Sequence, residues 1–430
     1  MKVLLVGDGA REHIIAEQLA RSSEVYVAME RKNPGIEAIV QKIFVCDFSN
    51  IEAIGGWATR ENIEVALVTS EVALTRGLGD ALSDVGIALA SSDSAGSEVG
   101  GNTVYAANLM ESAGIARPET AVCRSEQELK KAIAGFGNVI MKPAVRVEWK
   151  GARFSESDFR KKADVLKRGK ELVKRHGSVV LERPVDGERF SLQAFTDGKS
   201  ISAMPPVHTA KRAFEGSTGE LTEGMGSYSS GKLLPFMTQP DFDYARDCLW
   251  RLVSAMKTRG VDYRGVLCGQ FIATRKGPVL VDVGAGFGST ETLNNLMLLR
   301  TQLAEVVASV AAGSLKPASF LEKATVVKYV VPEGYPAKAK KGEIRIDEKA
   351  LWNNGAKAYV DSLELKKGKA RTTDERALAI CTSGERLEDA EAKAEAAASS
   401  IEGTVRHRKD IANADYIGRQ LKHMAMVRAR

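Results

Sequence analysis

The chain begins with MKVLLVGDGAREH, residues 1–13, in which a short apolar run leads into Gly-Asp-Gly and then into a polar segment. This order is typical of a buried strand, a glycine turn and a helix. The same alternation recurs along the first hundred residues, with apolar runs at 25–28, 43–46 and 65–68. Strands that alternate with helices predict βαβ units on a parallel sheet. We therefore predict an amino-terminal domain with a doubly wound parallel sheet, an α/β fold, over residues 1–100.

The loops at the carboxyl ends of these strands are expected to line one cleft. Ligands of parallel sheets bind beyond those ends, which places residues 7–9 beside residues 69–71. The helix that follows Gly9 offers free backbone N–H groups, so the sequence predicts an anion site there. Dinucleotide binding stays open as well: Glu30 ends the second strand where a ribose-binding acid would lie, although Glu12 replaces the third glycine of that fingerprint.

Length and composition describe a multidomain globular protein. The 430 residues exceed what one core usually fills, and 44% hydrophobic with 27% charged residues is ordinary. This composition excludes the collagen-like, coiled-coil and wholly disordered classes. The net charge of +6 is small for the length, so we expect no nucleic-acid partner. An anionic small ligand is equally compatible with that charge.

The cysteines and the apolar runs predict the compartment. Five cysteines are widely spaced and include no CxxC pair, which is typical of a reducing cytosol. The first residues indicate a strand rather than a secretory signal, and no apolar run reaches the roughly 18 residues that span a bilayer. We expect a cytoplasmic protein with no membrane contact.

The pattern changes after the first domain. A helix is predicted at residues 103–113, and residues 142–174 hold 11 Lys and Arg against 5 Asp and Glu, so the basic excess is concentrated there. A solvated helix face is one interpretation, and an electrostatic cover over a polyanion is the other. Apolar strands at 265–272 and 278–283 predict a hairpin. Residues 323–430 are expected to form a small α+β domain.

Two later motifs suit phosphate and metal chemistry. Lys211 and Arg212 precede a stretch rich in Gly, Ser and Thr, whose backbone N–H groups can approach phosphate oxygens. A surface turn is the plain alternative. Asp282 ends a strand beside a glycine-rich loop, and Mg²⁺ favours one or two carboxylates together with phosphate oxygens. A turn-forming Asp fits the same spacing.

In their order and spacing these motifs resemble those of the phosphoribosylamine-glycine ligase (GAR synthetase) family of ATP-grasp enzymes. The resemblance extends over nearly the whole chain. The segments that carry it are, in order, residues 7–13, Asn33-Pro34-Gly35, Asp186-Gly187-Glu188, Lys211-Arg212, Gly224-Met225-Gly226-Ser227-Tyr228, Gly265-Val266-Leu267, Phe287-Gly288, Glu291-Thr292, Gly334-Tyr335-Pro336 and His407-Arg408-Lys409-Asp410-Ile411.

The resemblance implies an architecture and a reaction. It implies a central ATP-grasp unit over residues 101–322, a lid subdomain at about 118–185 within it, and a carboxyl-terminal domain over 323–430. The implied reaction joins glycine to 5-phosphoribosylamine through a glycyl phosphate intermediate and gives glycinamide ribonucleotide, ADP and phosphate. ATP, Mg²⁺ or Mn²⁺, small-molecule substrates and a monomer or homodimer are expected with it.

The resemblance also implies roles for individual residues. The expected ATP ligands are Lys142, Lys150, Glu182 and Glu188. The expected catalytic residues are Lys150, Arg212 and Asp282, of which Asp282 is also the expected metal ligand. Glu291 is expected to bind the ammonium group of glycine. The other expected substrate-binding residues are Gly9, Arg11, Glu12, His13, Lys211, Arg212, Gly224, Met225, Gly226 and Ser227.

Several positions depart from the family pattern and keep other interpretations open. Thr103 stands where the family has a phosphate-binding lysine, Arg189 where it has a second acid, and Gly284 where it has a metal-binding Asn. Glu223 places an acid in the family's glycine loop. A catalytically altered or inactive member that binds a nucleotide or metabolite is therefore one alternative. A dinucleotide-dependent oxidoreductase is a second.

Overall fold

The computed structural model of the chain describes residues 1–145 and 162–430. It has a parallel sheet near the amino terminus and antiparallel sheets with flanking helices through the rest of these residues. The mixed α/β and α+β architecture predicted from the sequence is confirmed.

The amino-terminal sheet is parallel and has helices on both faces. Its strands are β1 (Lys2–Val6), β2 (Glu24–Met29), β3 (Lys42–Val45), β4 (Val65–Val68) and β5 (Ala88–Leu89), in the order β3-β2-β1-β4-β5. Its helices are α1 (Ala10–Ala20), α2 (Pro34–Glu37), α3 (Ile51–Arg60), α4 (Glu71–Thr75), α5 (Leu78–Asp84) and α6 (Ser94–Gly101). Val3 and Leu5 pack into one core and Leu4 and Val6 into another, so β1 is buried on both faces, as expected for a parallel strand.

The neighbouring ends of β1 and β4 lie together, as the sequence predicted. The backbone nitrogen of Thr69 donates to the Val6 carbonyl at 3.1 Å. The Thr69 hydroxyl donates to Glu12 Oε1 at 2.6 Å. The loops after the two strands therefore share one edge of the sheet.

The central region contains two antiparallel sheets that face each other across a cleft. The smaller sheet consists of β6 (Thr120–Cys123), β7 (Ile140–Pro143) and β8 (Val179–Glu182), with α8 (Glu126–Phe136) and α9 (Lys162–His176) packed on it. The larger sheet consists of β9 (Glu188–Thr196), β10 (Ile201–Ala203), β15 (Gly265–Thr274) and β16 (Gly277–Gly284). The remaining elements of the region are α7 (Thr103–Ser112), β11 (His208–Thr209), β12 (Arg212–Phe214), β13 (Thr218–Leu221), β14 (Gly226–Ser229), α10 (Gln239–Thr258), α11 (Glu291–Leu298) and α12 (Leu303–Ala311).

Two predicted local structures of this region are confirmed. The helix expected at residues 103–113 is α7. The expected hairpin is formed by β15 and β16, in which Thr274 pairs with Gly277 across a two-residue turn.

The carboxyl-terminal region is an α+β structure around one antiparallel sheet. The strands of this region are β17 (Ala324–Pro332), β18 (Ile344–Arg345), β19 (Lys357–Val360), β20 (Leu363–Lys366), β21 (Lys369–Thr372), β22 (Leu378–Gly384), β23 (Glu402–Gly403) and β24 (Val405–Arg406). Its helices are α13 (Glu348–Asn353), α14 (Leu387–Ser399) and α15 (Ala414–Ala429). The main sheet has the order β11-β14-β17-β22-β19.

Two strands from the range predicted for the central domain complete this carboxyl-terminal sheet. β14 pairs with β17 in antiparallel register, with Gly226 opposite Lys328. β11 then pairs with β14. The predicted ranges 1–100, 101–322 and 323–430 stay a prediction, and residues on both sides of position 322 share one sheet.

Candidate functional site

A cavity of about 450 Å³ lies in the cleft between the two central sheets and is the candidate site. The apolar side chains of its lining include Pro118, Ile140, Val185, Ile272 and Val281. The charged side chains of the lining include Lys142, Glu182, Lys211, Arg212 and Asp282. Most small-molecule sites combine apolar walls with a few placed polar groups, and this cleft has both.

Two predicted nucleotide ligands form an ion pair at the floor of the cleft. Lys142, on β7, donates to Glu182 Oε1, on β8, at 2.9 Å. The same ammonium donates to the Val281 carbonyl at 2.6 Å. Because both side chains are only about 5% exposed, each charge depends on the other for compensation. The structure therefore joins these two predicted residues directly.

Glu291, the first residue of α11, is a buried carboxylate behind Gln270, which lines the cleft. It accepts hydrogen bonds from the Ser191 hydroxyl at 2.8 Å, Gln270 Nε2 at 3.1 Å and the Thr290 hydroxyl at 3.2 Å. Burial pushes its pKa upward, but the attraction of Lys211 and these hydrogen bonds outweigh burial and hold the pKa below its usual value. Glu291 is therefore ionised at neutral pH.

Lys211 lies directly before β12, lines the cleft and is the counter-charge of Glu291. Burial lowers the pKa of its ammonium group, while the carboxylates of Glu291 and Asp282 oppose that shift. A lysine whose charge depends on a nearby carboxylate in this way is a candidate for binding a developing anion. Asp282, on β16, lines the same cleft as Lys211.

Gln270 and Ser191 belong to the site and were not identified from the sequence. Gln270, on β15, is opposite Ser191 on β9 and opposite Asp282 on β16. The Ser191 hydroxyl lies 3.0 Å from Gln270 Oε1 and 2.8 Å from Glu291 Oε1, so its single proton has the carboxylate as the nearer acceptor. The sequence carries one signal, a glutamine within the otherwise apolar run at 265–272.

The predicted anion site at the start of α1 is already filled by a side chain of this protein, and this corrects the expectation of an open site. The backbone N–H of Ala10 donates to Asp361 Oδ1 at 2.9 Å. The backbone N–H of Gly9 donates to Glu12 Oε2, also at 2.9 Å. Glu30 accepts a hydrogen bond from the Phe48 backbone at 3.1 Å. The structure thus argues against the dinucleotide alternative, because carboxylates stand where a pyrophosphate would bind.

The side chains of Arg11 and His13 connect the amino-terminal domain to the rest of the protein. Arg11 donates to the carbonyl of Phe287 at 2.7 Å and to that of Thr69 at 3.0 Å. His13 Nδ1 accepts a hydrogen bond from the backbone of Val360 at 2.9 Å. Neither residue lines the 450 Å³ cavity. Their predicted substrate contacts therefore remain a prediction without support from this geometry.

The predicted phosphate loop at residues 224–227 is instead largely a strand. Met225 and Ser227 are fully buried, and the Ser227 hydroxyl donates to Asn294 Oδ1. A Cβ atom at Gly226 would lie 2.2 Å from the Val327 carbonyl, so glycine is needed there for the close approach of two strands. The carbonyl of Gly224 accepts from Arg376 at 3.0 Å. The burial of Met225 and Ser227 contradicts the surface-turn alternative, and the predicted substrate contacts of Gly224, Met225, Gly226 and Ser227 stay a prediction.

The segment that contains Lys211 and Arg212 is held in place by residues near the carboxyl terminus. Arg408 donates to the Arg212 carbonyl at 2.9 Å and is itself buried against Asp410. Asp410 accepts from the backbone of Gly216 at 3.0 Å. Arg408 and Asp410 thus position one wall of the cleft.

Glu188, the predicted ribose ligand, lies at another edge of the cleft beside helix α15. It is bonded to Gln420 and His423 of that helix. Lys150, predicted to bind ATP phosphates and to act in catalysis, lies outside the described residues. Residues 146–161 of the basic segment at 142–174 lie outside them too.

A second cavity of about 540 Å³ lies between α2 and the hairpin of β20 and β21. Its lining contains three basic side chains and four acidic ones, so it has no excess of positive charge to attract a phosphate. The acidic Asp8 is partly buried there, and its desolvation raises its pKa to about 6 against the opposing attraction of Arg31. We assign no ligand to this cavity.

Residues 1–145 and 162–430 contain no cluster of three or more His, Cys, Asp or Glu side chains arranged to hold a metal ion. No helix in those ranges has the length and apolar character needed to span a membrane.

Comparison with known proteins assigns the chain to a family. The models of phosphoribosylglycinamide synthetase match its N domain at residues 1–99, its ATP-grasp (A) domain at 101–292 and its C domain at 325–414. The phosphoribosylamine–glycine ligase of Pyrococcus horikoshii is 35% identical over 429 residues, 99% of this chain and 97% of that protein. The corresponding enzyme of Methanoregula boonei is 38% identical over 434 residues, 99% of each chain.

A solved structure agrees with this assignment at the level of the fold. The crystal structure of phosphoribosylamine–glycine ligase from Thermotoga maritima matches with a TM-score of 0.79 and 22% identity, over 96% of this chain and 100% of that one. The full-length similarity to the two archaeal enzymes and the match to all three domain models lead to one conclusion. The chain belongs to the phosphoribosylglycinamide synthetase family of ATP-grasp proteins.

Proposed function

We propose that the chain is an ATP-dependent carbon–nitrogen ligase that joins glycine to 5-phosphoribosylamine. The products are glycinamide ribonucleotide, ADP and phosphate, a step of purine synthesis. Family membership over the full length supports this reaction. A cytoplasmic location and a monomeric or homodimeric state remain predictions from the sequence.

The observation that carries the proposal is that one cleft is lined by both apolar side chains and cations. Apolar side chains such as Ile140 and Val281 are suited to contact a purine base. Lys142 and Lys211 in the same lining are suited to neutralise a triphosphate. This combination matches a nucleotide, which carries a flat base and an anionic tail.

The chemistry requires alignment and charge neutralisation rather than a protein nucleophile. A carboxylate oxygen of glycine attacks the γ-phosphorus of ATP, and the bond from that phosphorus to the ADP oxygen breaks. The amine of phosphoribosylamine then attacks the carbonyl carbon of glycyl phosphate. Phosphate leaves with the electron pair of the broken C–O bond, and the nitrogen loses a proton. Exclusion of water protects the acyl phosphate between the two steps.

Lys211 is the proposed cation for the transferred phosphoryl group. Lys211 lines the cleft, and the Glu291 carboxylate opposes the burial that lowers the pKa of the Lys211 ammonium group. Gln270 lines the cleft, whereas the Glu291 carboxylate lies behind it. We therefore assign Glu291 to holding Lys211 rather than to direct contact with the ammonium group of glycine.

Asp282 is the proposed ligand for Mg²⁺ or Mn²⁺. One carboxylate in the lining of the cleft fits an ion that takes its other ligands from phosphate oxygens and water. The family position of Gly284 offers no side-chain oxygen, so the nucleotide would supply more of the ligands. When bound, the ion supplies neutralisation of charge on the phosphate oxygens.

The contacts of Glu223 favour an active enzyme over the inactive alternative. An acid in the glycine loop would repel phosphate if it faced the nucleotide. Glu223 Oε2 instead accepts a hydrogen bond from Arg376 Nη2 at 3.0 Å. The charge of this acid is therefore compensated by the carboxyl-terminal domain.

The proposal is tested by ADP release with glycine and freshly made phosphoribosylamine. We expect release that requires both acceptors and Mg-ATP. We also expect Mg-ATP, but not NADH, to raise the thermal midpoint. A raised midpoint without ADP release would favour the inactive, nucleotide-binding alternative. Neither effect at millimolar Mg-ATP would contradict the proposed function altogether.

A further inference from the structure

The carboxyl-terminal helix α15 forms part of the wall of the candidate nucleotide cleft. The family's C-domain model matches residues 325–414, so almost all of α15 lies beyond that match. Four of its side chains nevertheless line the cavity, and these are Tyr416, Arg419, Gln420 and His423. This helix therefore brings polar groups to a site whose other walls are the two central sheets and the segment from His208 to Leu221.

Two of these side chains bind the same carboxylate. Gln420 Nε2 donates to Glu188 Oε2 at 3.0 Å, and His423 Nδ1 lies 2.6 Å from Glu188 Oε1. The other ring nitrogen of His423 lies 3.1 Å from Asp186 Oδ1. Each oxygen of Glu188 thus has one partner on α15, and the carboxylate is fixed in one orientation.

The amide of Gln420 is oriented by its own surroundings. Gln420 is buried, and its Oε1 accepts a hydrogen bond from the Tyr228 hydroxyl. His208 lies beside the amide nitrogen and is bonded to the Tyr416 hydroxyl at 2.8 Å. Because the oxygen of the amide is engaged by a donor, its nitrogen must face Glu188.

Glu188 retains acceptor capacity on the cleft side. A carboxylate offers about four lone-pair sites, and α15 uses one on each oxygen. Glu188 begins β9 and lines the cavity next to Arg189. The family's second acid is replaced by Arg189 here, so Glu188 is the carboxylate available at this edge.

We propose that Gln420 and His423 are positioning residues that hold Glu188 so that it accepts hydrogen bonds from the ribose hydroxyls of the nucleotide. The inference rests on the proposed function, because it takes the ligand of the cleft to be ATP. It goes beyond that function in assigning to α15 the selection of a ribonucleotide over an analogue without ribose hydroxyls.

The test compares the binding of ATP and 2′,3′-dideoxyATP to the full-length chain by titration calorimetry with Mg²⁺. The unchanged protein should prefer ATP by about 10- to 100-fold, the range expected for hydrogen bonds to a charged group. Gln420→Ala and His423→Ala should each reduce this preference to about threefold or less, mainly by weakening ATP. His423→Gln, which retains a side-chain donor, should restore part of the preference. Lys422→Ala, exposed on the same helix, is the matched control and should keep it in full.

The possible outcomes separate this inference from the proposed function. If the protein binds ATP and the dideoxy analogue equally well, or if the variants keep the preference, the role of α15 is wrong and the proposed function stands. Equal weakening of both nucleotides in Gln420→Ala and His423→Ala would indicate a merely structural helix and would also overturn the inference. If neither nucleotide binds to the unchanged protein, the proposed function and the inference both fail.

Discussion

Asp361 closes the amino-terminal end of helix α1, since its Oδ1 accepts a hydrogen bond from the backbone N–H of Ala10 at 2.9 Å. The two residues are 351 positions apart and belong to different regions of the chain. The other carboxylate oxygen accepts from Arg376 Nε at 2.9 Å. Arg376 also bonds Glu223 and the Ser289 hydroxyl, at 3.0 and 2.8 Å. One carboxylate and one guanidinium thus connect three regions of the protein.

The two carboxylate partners of Arg376 should differ strongly in their contribution to stability. Asp361→Ala leaves a buried guanidinium without its buried partner, and we expect a loss of about 3 kcal/mol in the free energy of unfolding. Glu223→Gln removes a half-exposed partner and should cost less than about 1 kcal/mol. Urea unfolding at pH 7 measures both values. Asp374→Asn, an exposed neighbour, is the control, and equal losses for the first two variants would contradict this account.

Glu291→Gln should impair catalysis through Lys211. The substitution retains the size of the side chain but removes the charge that opposes the burial-lowered pKa of Lys211. We expect kcat/KM to fall by about 30-fold or more. Lys211 acts in its protonated form, so activity is lost as the pH rises through its pKa, and the alkaline limb should move to lower pH.

ADP release measured from pH 6 to pH 9 checks the prediction for Glu291. Glu305→Gln, an exposed acid on α12, should leave both the rate and the profile unchanged. An unshifted alkaline limb in Glu291→Gln would show that Lys211 does not depend on this carboxylate.

His13 should make the protein sensitive to mild acid. Burial lowers the pKa of His13 from 6.5 to about 4, so the unfolded chain binds a proton that the folded chain excludes between these values. The contribution to stability is complete above pH 6.5 and is lost as the pH falls toward 4. At pH 4.5 the loss amounts to about 2 kcal/mol.

Urea unfolding at pH 7.5 and pH 4.5 tests the prediction for His13. The loss between the two pH values should be about 2 kcal/mol smaller in His13→Asn than in the unchanged protein. His176→Asn, at the end of α9, should show the full loss. If His13→Asn loses as much free energy of unfolding as the unchanged protein, residues other than His13 cause the acid sensitivity.

Asp282→Asn should raise the requirement for Mg²⁺. The amide of asparagine cannot provide the negative charge of the Asp282 carboxylate that lines the cleft. We expect the Mg²⁺ concentration for half-maximal ADP release to rise at least about 10-fold. Asp262→Asn, half-exposed beside Arg264, is the control. An unchanged requirement would remove Asp282 from the metal site.

The parts of the fold that depend on local sequence signals could be predicted. The alternation of apolar runs and polar segments gave the parallel sheet because each βαβ unit is encoded by neighbouring residues. The hairpin of β15 and β16 followed from two apolar runs around Arg275-Lys276. At the cleft, Lys211 and Asp282 were found from their motifs and Lys142 from the family resemblance, and all three line it.

The parts that depend on distant contacts could not be predicted. A start of a helix with free N–H groups looks the same in sequence whether an external anion or Asp361 occupies it. A glycine-rich segment likewise does not reveal that Gly226 faces β17, some hundred residues later in the chain. Gln420 was missed for the same reason, since nothing near it in sequence points to Glu188.

The closure of α1 by Asp361 limits how this protein can be divided or recombined. An amino-terminal fragment expressed by itself would present the start of α1 to solvent, and it would then recruit sulfate or phosphate from the buffer. A chimera in which the last third of the chain comes from another protein needs an acidic residue at position 361. Without that residue, helix α1 would lack its cap, and the hydrogen bond that joins the amino-terminal domain to the carboxyl-terminal region would be lost.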